Sequence, residues 1–280
     1  MNEIQKRQNE TKSLELQAVS RILYNKAEII NLFLWMLPII SYLTIFITNN
    51  SFDNIVTIMC FFIDIIAVAF QFWFNTLIKS ASEYKRIFDC YVLGFSSNAD
   101  IDSPYNERFL KVLRKRNDKI KLYVSNTGKE SPPGVKDWYT FNGECSDKEA
   151  KFECQKQNIW WDEKLTKRRL LKDIILFLML LAIFIIVVKN NNVSLIRILF
   201  SSIIIIRVVD RLIINLRYLI LSVQIKGAAS VLENNKTEEQ LLLLQNKIDA
   251  KRRLSIVGCN FLHKKLAKKL TETYDSLKKL

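Results

Sequence analysis

Apolar residues along this chain gather into four blocks separated by polar stretches. The first, 29–48, is about 20 residues without a charge, and at 1.5 Å per residue it reaches roughly the 30 Å of a hydrocarbon core. Pro38 lies inside it, where a missing backbone donor favours a kink. The second block, 55–78, follows the short polar turn 49–54, and Asp64 is the one charge in its middle. The third, 170–188, carries Lys172 and Asp173 near its start and then runs uncharged to Val188. After 189–192 the fourth continues to 223 without a helix breaker, roughly 46 Å, so the turns beyond about 214 are expected to project from the membrane as continuous helix. The pattern predicts a mainly α, polytopic membrane protein with spans at 29–48, 55–78, 170–188 and 193–214, arranged as two transmembrane hairpins over 29–78 and 170–223.

The polar stretches predict further helices. In the leader 1–28, Leu16, Val19, Ile22 and Leu23 recur at helical spacing and run on into the first span. Residues 79–169 read as a cytosolic domain between spans two and three. It opens with a helical continuation of the second span over 80–90, then a polar turn over 96–104. A charged stretch over 105–123 follows, with Arg114-Lys115-Arg116, and then the breaker Ser131-Pro132-Pro133-Gly134. The aromatic-rich part 135–161 comes next, and 148–169 reads as a helix feeding the third span. In the tail, 224–280, Thr237-Glu238-Glu239-Gln240 has the form of a capping box. Residues 241–244, Ile248 and Ile256 supply an apolar face behind it, and 261–270 is a second, lysine-rich amphipathic stretch.

Charge orients this arrangement. The 280 residues carry a formal net charge of +14. Lys and Arg number five in 1–28, 20 in 79–172 and 12 in 224–280, against Lys189 alone in the two hairpin turns. Basic segments stay inside, so both termini and the central domain are expected in the cytosol, on a surface that suits anionic lipid. Five Cys at irregular spacing exclude a disulfide-scaffolded fold, and a single histidine, His263, excludes His-dyad hydrolases and His-rich metal sites. Phosphate-loop, Cys-x-x-Cys, His-Glu-x-x-His and Gly-x-Ser-x-Gly motifs are all missing. No enzymatic activity, metal or cofactor is expected.

Two constellations carry candidate chemistry. On the fourth span Arg197, Arg207 and Arg211, with Asn215 and Ser222, fall within an arc of roughly 80° at 100° per residue. Asp64 and Arg207 lie roughly 15 and 21 Å deep from the outer end of their spans. Charges at bilayer depth are costly unless buried, paired or wet. Either Arg207 and Arg211 reach inward and pair with Asp210, leaving Asp64 protonated, or the stripe Asp64, Arg197, Arg207, Arg211 faces other protomers or a water path. The second constellation is Trp138, Tyr139, Lys156, Asn158, Trp160, Trp161, Arg168 and Arg169 in the central domain. Bases stack on aromatic rings and cationic side chains hold phosphates, so a nucleotide pocket needs this mixture. Trp and Tyr beside a bilayer also serve as interfacial anchors.

Several short segments stand in a distinctive order around the four blocks. They are Arg7-Gln8-Asn9, Tyr24-Asn25-Lys26-Ala27, Asp89-Cys90-Tyr91-Val92-Leu93, Asp137-Trp138-Tyr139 and Cys154-Gln155-x-x-Asn158-x-x-Trp161-Asp162-x-x-Leu165. In this order the chain, over about 4–220, resembles the SMODS-associating four-transmembrane effector family of bacterial CBASS antiphage systems. Lys156 and Thr166 stand where that pattern leads one to expect arginine. The resemblance implies an effector in the bacterial inner membrane that binds a cyclic oligonucleotide made by a partner nucleotidyltransferase. It then oligomerises and breaches the membrane, causing abortive infection, and no DNA or RNA polymer is implied. Trp138, Tyr139, Lys156, Asn158, Trp161 and Arg168 are then the candidate ligand contacts. A channel or transporter-like protein, or a membrane scaffold unrelated to nucleotides, is the alternative.

Overall fold

The structure is a computed structural model, and it describes residues 3–46, 51, 53–102, 106–140, 145–190, 195–254 and 256. Among the described residues the secondary structure is helical, apart from one isolated bridge between Thr127 and Lys136. The helices are α1 (Glu3–Gln8), α2 (Thr11–Leu43), α3 (Asp53–Val92), α4 (Asn98–Asp102), α5 (Glu107–Lys115), α6 (Asn117–Ser125), α7 (Asp147–Asn190), α8 (Leu195–Leu232) and α9 (Glu238–Arg252). A short 3-10 turn, Thr44–Phe46, follows α2. The leader and the first apolar block form the single helix α2, with Pro38 inside it. The second block continues to Val92, the stretch from Asp147 runs into the third block as α7, and α8 continues to Leu232. Residues 47–50 and 191–194, which overlap the expected hairpin turns 49–54 and 189–192, and the tail beyond 256, including the stretch 261–270 and His263, lie outside the described residues.

Local chemistry fixes the ends of these helices. α3 stops at Gly94, whose φ of 73° is left-handed, and the Phe95 N–H closes the end on the Cys90 carbonyl at 2.8 Å. A Cβ on Gly94 would lie 2.8 Å from Nη1 of Arg7. At α5 the Asn106 side chain accepts from the Phe109 N–H at 3.0 Å. The expected capping box is present at α9, with the Thr237 hydroxyl accepting from the Gln240 N–H at 3.3 Å and the Gln240 side chain accepting from the Thr237 N–H at 3.4 Å.

The chain divides into two compact units, 1–25 with 77–163 and 220–254, and 26–76 with 164–219 and 255–280. In the first unit an apolar core joins Phe152 and Ile159 of α7, Ile225, Ala229 and Leu232 of α8, and Leu241, Leu244 and Ile248 of α9. Each of the Phe, Ile and Leu side chains contributes about 1.5–3 kcal/mol on burial. Ser20 of α2 donates to the Ala81 carbonyl of α3 at 2.8 Å, where Ala18 and Ala81 are fully buried.

The second unit is apolar outside and buries polar side chains among apolar ones such as Leu34, Ile45, Ile204 and Val208. Leu32, Ile58, Phe72, Leu171, Ile186, Leu199 and Ile206 are exposed, while Ser41, Thr166, Asp173, Arg197, Ser201 and Asn215 are buried. The apolar exterior inverts the usual distribution in water and fits a hydrocarbon surround, in which interhelical polar contacts add to apolar packing. Phe33 stacks on Phe70 at 5.8 Å, and the Tyr42 hydroxyl donates to the Leu180 carbonyl at 3.0 Å. Among the described residues three helices, those of the first, second and third blocks, are long and apolar enough to cross a membrane.

Candidate functional site

Asp89 stands at the centre of the first unit, fully buried in the last turns of α3. A buried carboxylate must be neutralised or hydrogen-bonded, and this one gathers partners from distant parts of the chain. It accepts from Nη1 of Arg252 on α9, from the Tyr139 hydroxyl at 2.7 Å and from Nε2 of Gln245 at 3.5 Å. Nζ of Lys85, one turn earlier on α3, lies 3.4 Å away. Arg252 also pairs with Asp249 at 3.2 Å, and Gln245 donates to Asp249 at 3.1 Å. Gln155 of α7 completes the group, donating to the Leu241 carbonyl at 2.9 Å and to Gln245 at 3.3 Å.

The protonation states follow from this crowding. Burial pushes the Asp89 carboxyl up, but Arg252 and Lys85 together outweigh burial and hold it below the usual carboxylate range. Asp249, buried and beside the Asp89 charge, is pushed up to about 6 despite Arg252. Burial pushes the Lys85 ammonium down to about 7, against the pull of Asp89. Tyr139 is raised well above its ordinary range by burial and by Asp89, so it remains a donor.

The segment 137–140 is pinned to this core by side chains acting as strand partners. Gln8 of α1 accepts from the Tyr139 N–H at 2.8 Å and donates to its carbonyl at 3.3 Å. Gln157 of α7 accepts from the Thr140 N–H at 3.2 Å and donates to the Trp138 carbonyl at 3.4 Å. Asp137 adopts a left-handed φ of 51°, tolerable for aspartate. Asn9 holds it there, accepting from its N–H at 3.1 Å and donating to its carboxylate at 2.7 Å. Trp138 is left 38% exposed with its ring centroid 4.2 Å from Nζ of Lys85, and Phe88 and Tyr139 flank the same ammonium at 4.7 and 5.9 Å. The result is a cation held against aromatic faces with one indole still open to solvent.

Of the sequence-predicted contacts, the structure joins Tyr139 and Asn158 directly, the Asn158 amide donating to the Tyr139 hydroxyl at 2.9 Å. Trp138 adjoins them. Lys156 pairs with Glu153 at 3.1 Å and lies over Phe152. Trp161 and Arg168 are on α7, with side chains outside the described residues. Lys85, Gln245, Asp249 and Arg252 were not singled out from the sequence. Their signal is periodic: polar residues at 245, 249 and 252 share one helical face with Leu241 and Ile248, as 85 and 89 do on α3.

In the second unit the stripe on α8 turns into its own bundle. Arg197 and Asn215 are fully buried and Asp64 is half-buried. Arg211 does not rely on Asp210, since its Nε donates to Asp173 of α7 at 2.8 Å. Asn215 donates to the same oxygen at 2.6 Å and accepts from Nε of Arg169 at 2.7 Å. Arg207 donates to Gln71 of α3 at 3.3 Å, and the Arg207 and Arg211 guanidinia both lie over the Trp35 ring, at 5.8 and 5.3 Å.

Residues 2–205 match the SMODS-associating 4TM effector domain. The chain belongs to this family. No curated protein and no solved structure matches it. The 4TM effector domain is a membrane-associated effector of an antiphage family, and its name ties it to a nucleotide-signalling partner system. Gln8, Asn9, Asp89, Asp137, Tyr139 and Asn158, from four of the segments quoted above, meet in the first unit around Asp89 and Tyr139.

Proposed function

We propose that this 4TM effector domain is a non-enzymatic antiphage receptor-effector that senses a cyclic oligonucleotide on the cytosolic side. On binding, the protein oligomerises and permeabilises the inner membrane, causing abortive infection. The observation that carries the reading is the convergence of Gln8, Asp89, Tyr139 and Asn158, from segments scattered along the sequence, on one buried polar core beside a half-exposed tryptophan. In this reading Trp138 and Trp161 stack bases, and Lys156 and Arg168 hold phosphates. Tyr139, buried, and Asn158, half-buried and joined to it, position the Trp138 segment. The fourth crossing is α8, whose Leu195, Leu199, Ile206, Ile213 and Leu216 are exposed like the apolar residues of the other three. The Lys and Arg asymmetry favours two hairpins with cytosolic termini.

The test combines binding with leakage. The full chain in liposomes loaded with a self-quenching dye is offered a panel of cyclic di- and tri-nucleotides, and calorimetry on the same panel gives affinity. One member is expected to bind and to release dye. Losing a charge-assisted phosphate contact costs about 1.5–3 kcal/mol, so Lys156→Ala and Arg168→Ala should each weaken that member roughly ten- to a hundredfold. Leakage that proceeds without binding any member would favour a channel unrelated to nucleotides, and binding without leakage would favour a scaffold.

A further inference from the structure

Two guanidinium groups in the second unit share too few acceptors for the place they occupy. Arg207 and Arg211 are one turn apart on α8, and both lie over the Trp35 ring. Arg211 has a carboxylate, Asp173, but that carboxylate also serves Asn215. The hydrogen bond of Arg207 goes to the neutral amide of Gln71, and its Nε is buried with no hydrogen-bond partner. Asp210 of α8 attracts Arg207 electrostatically, but it is exposed and makes no hydrogen bond to it, and Asp64 of α3 is half-buried. Around them the surface is apolar, with Ile206 63% exposed and Ile213 and Leu216 exposed as well. In such surroundings two like charges repel strongly, and a guanidinium hydrogen-bonded to no anion is costly. An anion placed between two forked donors relieves both penalties at once, because each guanidinium offers five N–H groups in a plane.

We propose that Arg207 and Arg211, over Trp35, form a binding site for a single monovalent anion. Its chemistry is that of a weakly hydrated halide or a phosphodiester, which chloride or a lipid headgroup can supply. The site belongs to the second unit alone and needs no nucleotide, so its test is independent of the sensing function.

Trp35 reports on the site, because iodide quenches indole fluorescence by contact. The full chain in maltoside micelles is titrated with iodide and, separately, with caesium, and the Trp35 component is taken as wild type minus Trp35→Phe. Iodide is expected to quench that component saturably and caesium to leave it unchanged. Arg207→Gln should raise the half-saturating iodide concentration at least tenfold, and Arg207→Lys should recover part of the loss. Helix content and monodispersity are matched across the variants. Competition then distinguishes the sources: displacement of iodide by dihexanoyl phosphatidylglycerol at lower concentration than chloride assigns the site to lipid phosphodiester, and the reverse order assigns it to chloride. Equal quenching by iodide and caesium, linear quenching without saturation, no quenching, or a response unchanged in Arg207→Gln would each overturn the site.

Discussion

Replacing Arg252 by alanine is expected to loosen the whole first unit. Arg252 sits against the fully buried Asp89 and also pairs with Asp249. Its removal leaves the buried Asp89 with Lys85, 3.4 Å away, as its remaining ion-pair partner, and burial already pushes that ammonium towards its neutral form. Breaking a buried pair from one side costs about 3–5 kcal/mol, because the remaining charge stays desolvated. A unit of about 150 residues shifts by roughly 2–4 °C per kcal/mol, so unfolding should fall by roughly 6–20 °C. Arg253 provides the internal control. It pairs with Glu83 at 3.3 Å with both side chains substantially exposed, and Arg253→Ala should cost about 0–1 kcal/mol. Thermal unfolding in micelles, followed by tryptophan fluorescence, measures the shift, and hydrogen exchange of α9 amides shows whether the helix detaches first. A double variant, Asp89→Asn with Arg252→Gln, should lose less than the two single losses combined. An Arg252→Ala protein that melts within experimental error of Arg253→Ala would refute the account of the Asp89 core.

Two further outcomes follow from geometry and titration. Gly134→Ala places a Cβ 1.7 Å from the Asn126 carbonyl oxygen, so the 126–134 turn must open, and proteolysis within it should be faster than in wild type. Asp249 has a folded value raised above its unfolded one, so its protonated form stabilises the unit fully below about pH 4, and that contribution is lost as pH rises through 6. Asp249→Asn should therefore flatten the fall in melting temperature between about pH 4 and 6, and an unchanged slope in a pH series would reassign that titration.

Helices were the legible part of this chain because their signals are local. The unbroken apolar blocks, the missing breaker between 193 and 223 and the capping box at Thr237 each depend on residues a few positions apart. The polar core depends on pairs such as Asn9 with Asp137 and Arg252 with Asp89, separated by 128 and 163 positions. A lone Gln or Asp on an otherwise apolar helix face looks in sequence like a solvent-facing interruption, and only its distant partner shows otherwise. The stripe on α8 lay between these cases. Its common face could be drawn from the helical angle, but Asp173 as the partner of Arg211 comes from a neighbouring helix.

The salt bridge between Asp173 and Arg211 also bears on how the protein enters its bilayer. Arginine or aspartate near the middle of a hydrophobic segment adds about 2.5–3.5 kcal/mol to its insertion, whereas each leucine or isoleucine returns only about 0.3–0.6 kcal/mol. The stretch of α8 that carries Arg197, Arg207, Asp210 and Arg211 is therefore a poor candidate for lateral release from a translocation channel by itself. α7 emerges first from the ribosome and brings Asp173 with it. On the proposed reading of α8 as the fourth crossing, α7 held at the channel until α8 arrives would mask Arg211 and Asn215 during passage, and the pair would insert as a single event that depends on one aspartate outside the segment being inserted.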